Sequence, residues 1–446
     1  MSESTLDSAP SLLQRLQEVP RFLVHGRVTR VVGLVVEAVG VEGVVGDLCR
    51  IRPLRGGDAV VAEIVGFRGE SVLLMPLGPV EGLRPGLAVE RHERSSGIPF
   101  GNQLLGRVLD GLGRPMDGLD PFVGLRRVPI AADPPNPLSR RPIEEILGTG
   151  VRVLDGFLTM GRGQRMGIFA GSGVGKSTLL GMIARYAEAD VNVIALLGER
   201  GREVRDFIDR SLGPEGLARS VVVVATGDQP ALIRARGALV ATAIAEAFRD
   251  EGKEVLLMVD SVTRVAMAWR EMGLAVGEPP TTRGYPPSVF ARLPRLLERA
   301  GNGPSGGITG IYTVLVEGDD FNEPVADHVR AVVDGHVILS RKLAAAGHFP
   351  AVDILESASR VRDQIVTREV IRASSRLTGL MAAYREKQDL IAVGAYEEGG
   401  DPLLDRAIRF RAPLEALLTQ DVDEHSEPED VFRRILELDL AVLEDA

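Results

Sequence analysis

Met166-Gly-Ile-Phe-Ala-Gly-Ser-Gly-Val-Gly-Lys-Ser-Thr178 is the stretch that decides how this chain is read. An apolar run, Met166–Ala170, ends in a glycine loop, and the loop leads into a segment where Leu179, Met182, Ile183 and Tyr186 recur at i, i+3, i+4 and i+7. Strand, loop and helix therefore follow in the order that a phosphate-binding loop requires. Gly171, Gly173 and Gly175 let the backbone curl so that successive N–H groups converge on an anion, and the helix start adds its positive dipole end. Gly171, Ser172, Gly173, Val174, Gly175, Lys176, Ser177 and Thr178 are thus the expected nucleotide cradle. Lys176 is expected to reach the β- and γ-phosphates of ATP, and the Ser177 hydroxyl to ligate Mg2+. The strict pattern opens on glycine where this chain has Ala170; the alternative, a plain glycine-rich turn, does not account for the flanking strand and helix.

Working outward, apolar runs alternate with helical patterns: Val191–Leu197, Val221–Ala225, Val255–Val259, Ile308–Val316 and His336–Leu339. This alternation predicts an α/β domain with a mainly parallel sheet covered by helices. Asp260 ends one of these runs, where the second Mg2+ anchor of such sites sits; as an isolated feature it could equally be a helix cap. Glu199 follows another run through Gly198, at the carboxyl end of a strand where open α/β sheets place ligands. A carboxylate there can polarise the water that attacks the γ-phosphate. Phosphoryl transfer also calls for an arginine near the γ-phosphate, and Arg200, Arg202, Arg264 and Arg360 are candidates that spacing alone does not rank.

The chain of 446 residues exceeds the ~250–300 at which single cores stop growing, so several domains are expected. Residues 1–20 read as a polar tail and a short amphipathic helix with Leu12, Leu13 and Leu16 on one face and Pro20 as its stop. From 21 to 92, short Val-rich runs (Val31–Val36, Val60–Val65, Ser71–Met75) broken by glycines predict a small β-barrel. A turn-rich connection opens the central domain, placed at 93–366. From 367 to 446 the spacing turns helical, with Leu377, Leu380, Met381 and Tyr384, and predicts a helical C-terminal domain. The net charge of −10 lacks the basic footprint of a nucleic-acid-wrapping protein. Cys49, the single cysteine, excludes an intrachain disulfide and a cysteine metal cluster. No signal peptide or membrane span is indicated, and a cytoplasmic protein is expected.

Several motifs in order resemble the ring-forming, RecA-like ATPases related to the catalytic subunits of rotary ATP synthases. They are Thr149-Gly-Val-Arg-Val-Leu-Asp155, the Gly163–Thr178 segment, Gly198-Glu-Arg-Gly-Arg-Glu-Val204, Asp260-Ser-Val-Thr-Arg264, Gly284-Tyr-Pro-Pro-Ser-Val-Phe290 and Asp334-Gly-His-Val-Ile-Leu-Ser-Arg341. Within that superfamily the chain is most similar to the type III protein export ATPases, and through Gly171-Ser-Gly-Val174 more to the flagellar than to the virulence (injectisome) branch. The resemblance implies that Glu199 is the catalytic glutamate and that Arg200 lies close to the γ-phosphate. It implies that Arg360, in Ser357-Ala-Ser-Arg360, is an arginine finger inserted into the neighbouring subunit's site. Gly284–Phe290 resembles the region facing the ring's centre and its stalk protein. Where related chains stack an aromatic residue on adenine about ten positions after that arginine, this chain has Ile371.

The expected function is therefore Mg-dependent ATP hydrolysis by a homohexamer that energises type III export. Its expected partners are stalk and stator or regulator proteins, export substrates and their chaperones, with contact to the cytoplasmic face of the inner membrane at most peripheral. An RNA-translocating ring would need stacking aromatics in the barrel, and residues 21–90 offer only Phe22 and Phe67. A non-catalytic ring subunit would lack the water-activating carboxylate, which Glu199 supplies.

Overall fold

The computed structural model describes residues 25–52, 58–92, 97–316, 320 and 323–445, so the helix expected within 1–20 lies outside the described residues. The chain divides into two compact units, Met1–Ser96 and Gly97–Ala446.

In the first unit, strands β1 (Gly26–Val32), β2 (Val35–Val39), β3 (Leu48–Arg52), β4 (Val60–Arg68), β5 (Ser71–Pro76) and β6 (Ala88–Arg91) close into a barrel in the order β1-β2-β5-β4-β3-β6. Alternate residues point inward, so Cys49 and Ile51, Ala62 and Ile64, Val72 and Leu74 fill one core. The expected strand Val31–Val36 is instead a hairpin. Gly33 takes φ 54, and Val32 pairs with Val35 across a two-residue turn, because glycine supplies the left-handed residue that tight hairpin loops need. β3 and β6 escape an apolar-run search because charged residues occupy their outward positions, as in Leu-Cys-Arg-Ile-Arg and Ala-Val-Glu-Arg.

The second unit is built on a sheet of β7 (Val108–Asp110), β8 (Arg165–Ala170), β9 (Val191–Leu197), β10 (Ser220–Ala225), β11 (Glu254–Asp260), β12 (Gly307–Leu315), β13 (Gly335–Leu339) and β14 (Ala358–Ser359), in the order β14-β13-β8-β12-β11-β9-β10-β7. Pairing is parallel from β13 to β7, and β14 runs antiparallel to β13 at the edge. β9 and β10 are buried at every position, as expected for strands covered on both faces. β7, only three residues long within the turn-rich connection, was not anticipated. Parallel pairing brings the carboxyl ends of β8, β9, β11 and β12 to one edge of the sheet, which is where the candidate site forms.

The C-terminal region is helical: Arg368–Ala392, Pro402–Arg409, Arg411–Leu418 and Pro428–Glu444. Its buried residues Ala373, Leu377, Leu380, Leu404 and Ile435 belong to the same contiguous cluster as Leu179, Met182 and Ile183 of the helix behind the phosphate loop. Among the described residues, no helix is long and apolar enough to cross a membrane.

Candidate active site

β8 is buried from Met166 to Ala170, which fixes the point from which the glycine loop springs. Gly173 and Gly175 hold φ 78 and 90, conformations that a side chain would strain. The helix Lys176–Tyr186 begins immediately after them, so its first N–H groups, which have no partner within the helix, face the loop. The loop residues border a cavity of about 870 Å³. Gly171, Ser172, Gly173, Gly175, Lys176, Ser177 and Thr178 all line it. The Val174 side chain is turned into the core instead, leaving only its backbone to serve a ligand.

Lys176, Glu199 and Asp260 arrive from three strand ends and meet. The Lys176 ammonium forms an ion pair with Asp260 Oδ1 and lies 3.4 Å from Glu199 Oε1. Asp260 Oδ1 also accepts a 2.6 Å hydrogen bond from Thr313 Oγ1 of β12. Asp260 is 3% exposed, so a cation beside it costs little and an unpaired charge there would cost much. Gly198 has φ 75, and a Cβ on it would come within 2.8 Å of the Arg264 side chain; only glycine lets β9 turn here and deliver Glu199.

Burial pushes the Glu199 carboxyl above its ordinary value of 4.5; Lys176 opposes this, while Asp260 and the neighbouring Glu203 reinforce it. Glu203 shifts the other way, held down by its hydrogen bond with Glu199. A buried carboxyl with a raised pKa at a strand end has the properties of a group poised to take a proton or align water.

Of the arginines expected near the phosphates, Arg200 and Arg264 line the cavity. Arg200 opens the helix Gly201–Asp206 with its side chain 82% exposed. Arg264 lines the cavity, while its Nε is buried and lacks a hydrogen-bond partner. Arg202 is not among the lining residues. Arg270, Arg283 and Arg341 also line the cavity and were not singled out from sequence, because each sits in a different segment. Tyr285, from the segment expected to face a stalk protein, borders the same cavity.

Arg360 and Ile371 stand apart from this group. Arg360 follows the edge strand β14, is exposed, and makes no ion pair among the described residues. Ile371 is half-buried in the first turn of the helix Arg368–Ala392 and does not border the cavity. The aromatic ring near the loop is Phe349, which, like Ile371, is not among the residues bordering the cavity. It is 45% exposed, and its ring carbons lie 3.6 Å from where a Cβ on Gly175 would sit. The fold returns the segment before Arg360, not the one after it, to the phosphate loop. The sequence signal available was the exposed aromatic in Gly347-His-Phe-Pro350, which sits ahead of the arginine.

The nucleotide-binding domain of the ATP synthase alpha/beta family matches residues 150–359, and that family's beta-barrel domain matches 28–93. The flagellum-specific ATP synthase of Bacillus subtilis is 53% identical over 93% of this chain and 95% of its own length. The chain belongs to the ATP synthase alpha/beta family. Its residues 366–437 match the C-terminal domain of the type III secretion ATPase EscN, which marks the export branch of that family. As a family member it is a nucleotide-binding enzyme whose reaction is ATP hydrolysis. The type 3 secretion system ATPase of Xanthomonas euvesicatoria is 51% identical over 95% of both chains, so identity alone does not divide the flagellum-specific relatives from those named for type 3 secretion. Among solved structures, the assembled ATPase EscN of enteropathogenic E. coli superposes with TM-score 0.88 at 44% identity, covering 93% of this chain and all of that one. EscN has also been solved in complex with its central stalk EscO, with TM-score 0.86.

Proposed function

We propose that this chain is the ATPase of a flagellar-type type III export apparatus, working as a homohexamer whose hydrolysis sites lie between subunits. The observation that carries the reading is a division of parts. Lys176, Glu199 and Asp260 converge in one cavity, while Arg360, exposed and anchored at the sheet edge, stands outside it. A ring would bring the Arg360 of one subunit to the cavity of the next. The domain division at 21–92, 93–366 and 367–446 goes with this reading, the barrel and helical regions flanking the ATPase core.

In the reading proposed here, the loop N–H groups and Lys176 hold the β- and γ-phosphates, releasing Lys176 from its ion pairs to Asp260 and Glu199. Ser177 and Asp260 supply oxygen donors of the kind Mg2+ takes when phosphates and water complete its shell. Among the described residues no three or more His, Cys, Asp or Glu side chains gather to hold a metal ion. Bound Mg2+ would neutralise charge on the phosphates. Glu199 orients the attacking water and accepts its proton, Arg200 stands close to the γ-phosphate, and the neighbour's Arg360 stabilises the charge that develops on it. Arg264, which also lines the cavity, adds positive charge beside the same anion.

Phe349 replaces Ile371 as the proposed adenine platform, since it is the exposed ring beside the loop. Phe349→Ala is expected to weaken nucleotide binding by about 1–3 kcal/mol, the worth of stacking one base on an aromatic ring, whereas Ile371→Ala leaves affinity unchanged in a fluorescent-nucleotide titration. Loss on Ile371→Ala alone would return the base to that helix.

A stalk protein is the partner with the firmest support, since the relative EscN binds its central stalk EscO and Tyr285 links the stalk-facing segment to the cavity. Stator or regulator proteins, export substrates and chaperones, and a cytoplasmic location at or near the inner membrane belong to the same proposal, with no nucleic acid among the ligands. The assembly requirement has a direct readout: ATPase rate per subunit rises with protein concentration in step with the hexamer fraction seen by native mass measurement. A dilute monomer as active per subunit as the assembly would contradict the intersubunit site.

A further inference from the structure

Arg360 is exposed, yet the backbone that presents it is tied down on both sides. Its N–H donates to the Asp334 carbonyl at 2.9 Å. The Asp334 carboxylate in turn accepts from Arg165 N, Nε and Nη2 at 2.9, 3.0 and 3.1 Å. On the other side Val361 is buried, and a Cβ on Gly161 would meet its side chain at 3.3 Å.

Gln164 closes this arrangement. Its side chain is fully buried. Its Oε1 accepts from Gly161 N at 2.8 Å, and its Nε2 donates to Ser359 Oγ at 3.0 Å. Ser359, immediately before Arg360, donates in turn to the Thr159 carbonyl at 2.9 Å. The β14 strand that leads into Arg360 has only two residues and pairs only with β13 among the described strands. The strand is short, and the buried carboxamide adds a side-chain tie to those made by Arg360 N and by Ser357 Oγ, which accepts from Ile338 N at 2.9 Å. None of Gln164, Ser359, Asp334 and Arg360 lines the chain's own cavity. Gln164 lies at the opposite end of β8 from the phosphate loop, the end where β8 begins.

We propose that Gln164 is a positioning residue for Arg360: its carboxamide fixes the strand that presents the guanidinium, so it serves the neighbouring subunit's site and not its own. This rests on Arg360 acting in the neighbour's site, as proposed above. A displacement of about 1 Å in such a group costs on the order of a hundredfold in rate, which gives a two-hydrogen-bond tie its leverage.

The test separates the two roles of a subunit, host of the loop and donor of the finger, by mixing variants. Lys176→Ala subunits donate only, and Arg360→Ala subunits host only; their mixture regains hydrolysis. When Gln164→Met is added to the donor, the regained kcat is expected to fall about tenfold or more with KM for ATP unchanged. Added to the host, the same change leaves the regained rate within about twofold. Ser359→Ala, a milder cut in the same tie, shows the same asymmetry and carries the test if Gln164→Met fails to fold. Equal losses in donor and host would mean that Gln164 merely supports the fold, and would overturn the inference while leaving the Arg360 reading intact. If the parent mixture regains nothing although mixed assemblies form, the Arg360 reading fails and the inference goes with it.

Discussion

Glu199→Gln lowers ATP turnover by about 10²–10⁴-fold, the range that a positioned general base contributes, while nucleotide affinity stays near that of the native chain. The amide keeps the size and one acceptor of the carboxylate but cannot take a proton. It also removes one of the two carboxylates beside Lys176, so the lysine is freer to meet a phosphate, and binding should not suffer. The native pH profile provides an independent check. Because the Glu199 pKa is raised by burial, the group is protonated and inactive at pH values where an ordinary glutamate is still charged. kcat/KM, which reports the free enzyme, therefore falls on acidification through an acid limb displaced upward from 4.5. Glu203→Gln removes a nearby negative charge and a hydrogen bond that both raise the Glu199 pKa, so it moves that limb down. An unchanged rate in Glu199→Gln, measured in single turnover to exclude product release, would remove Glu199 from the chemistry.

Arg360→Ala abolishes hydrolysis with a loss of about 10³–10⁵-fold, the scale of an arginine finger supplied in trans, and leaves nucleotide binding nearly intact because the chain's own cavity contains no part of Arg360. The sheet explains why the effect is remote. β8 carries the phosphate loop at its carboxyl end and is anchored at its start to Asp334 and, through Gln164, to Ser359. On the proposed reading, one strand contributes to two sites that belong to different pairs of subunits. Loss of binding in Arg360→Ala would place the guanidinium in its own chain's cavity and contradict this division.

The parts of this account that were legible in the sequence are those encoded by local pattern. The loop at Gly171–Thr178, the buried strands β9 and β11, and the carboxylates that follow them can be read from runs of apolar residues ending in a charge, since burial on both faces leaves no alternation to confuse the signal. The hairpin at Gly33 was missed because two strands abutting a two-residue turn read as one run. β3 and β6 were missed because half of their residues face water. The cavity's arginines at 270, 283 and 341 and the ring of Phe349 are joined to the loop only by tertiary packing, which no periodicity reports. Ile371 shows the same limit from the other side: a count along the chain points to the segment after Arg360, whereas the ring near the loop comes from the segment before it.

The central claim is that the phosphate loop is one half of a site completed by the next subunit, and one measurement addresses it without depending on any single rate. Lys176→Ala and Arg360→Ala proteins are each assayed alone and then mixed under conditions where mixed assemblies are verified by native mass measurement. Each alone is expected to be inactive, one lacking the loop's lysine and the other the finger, and the mixture is expected to hydrolyse ATP at the interfaces where an intact loop meets an intact Arg360. A mixture as inactive as its parents, despite forming mixed assemblies, would show that each chain completes its own site.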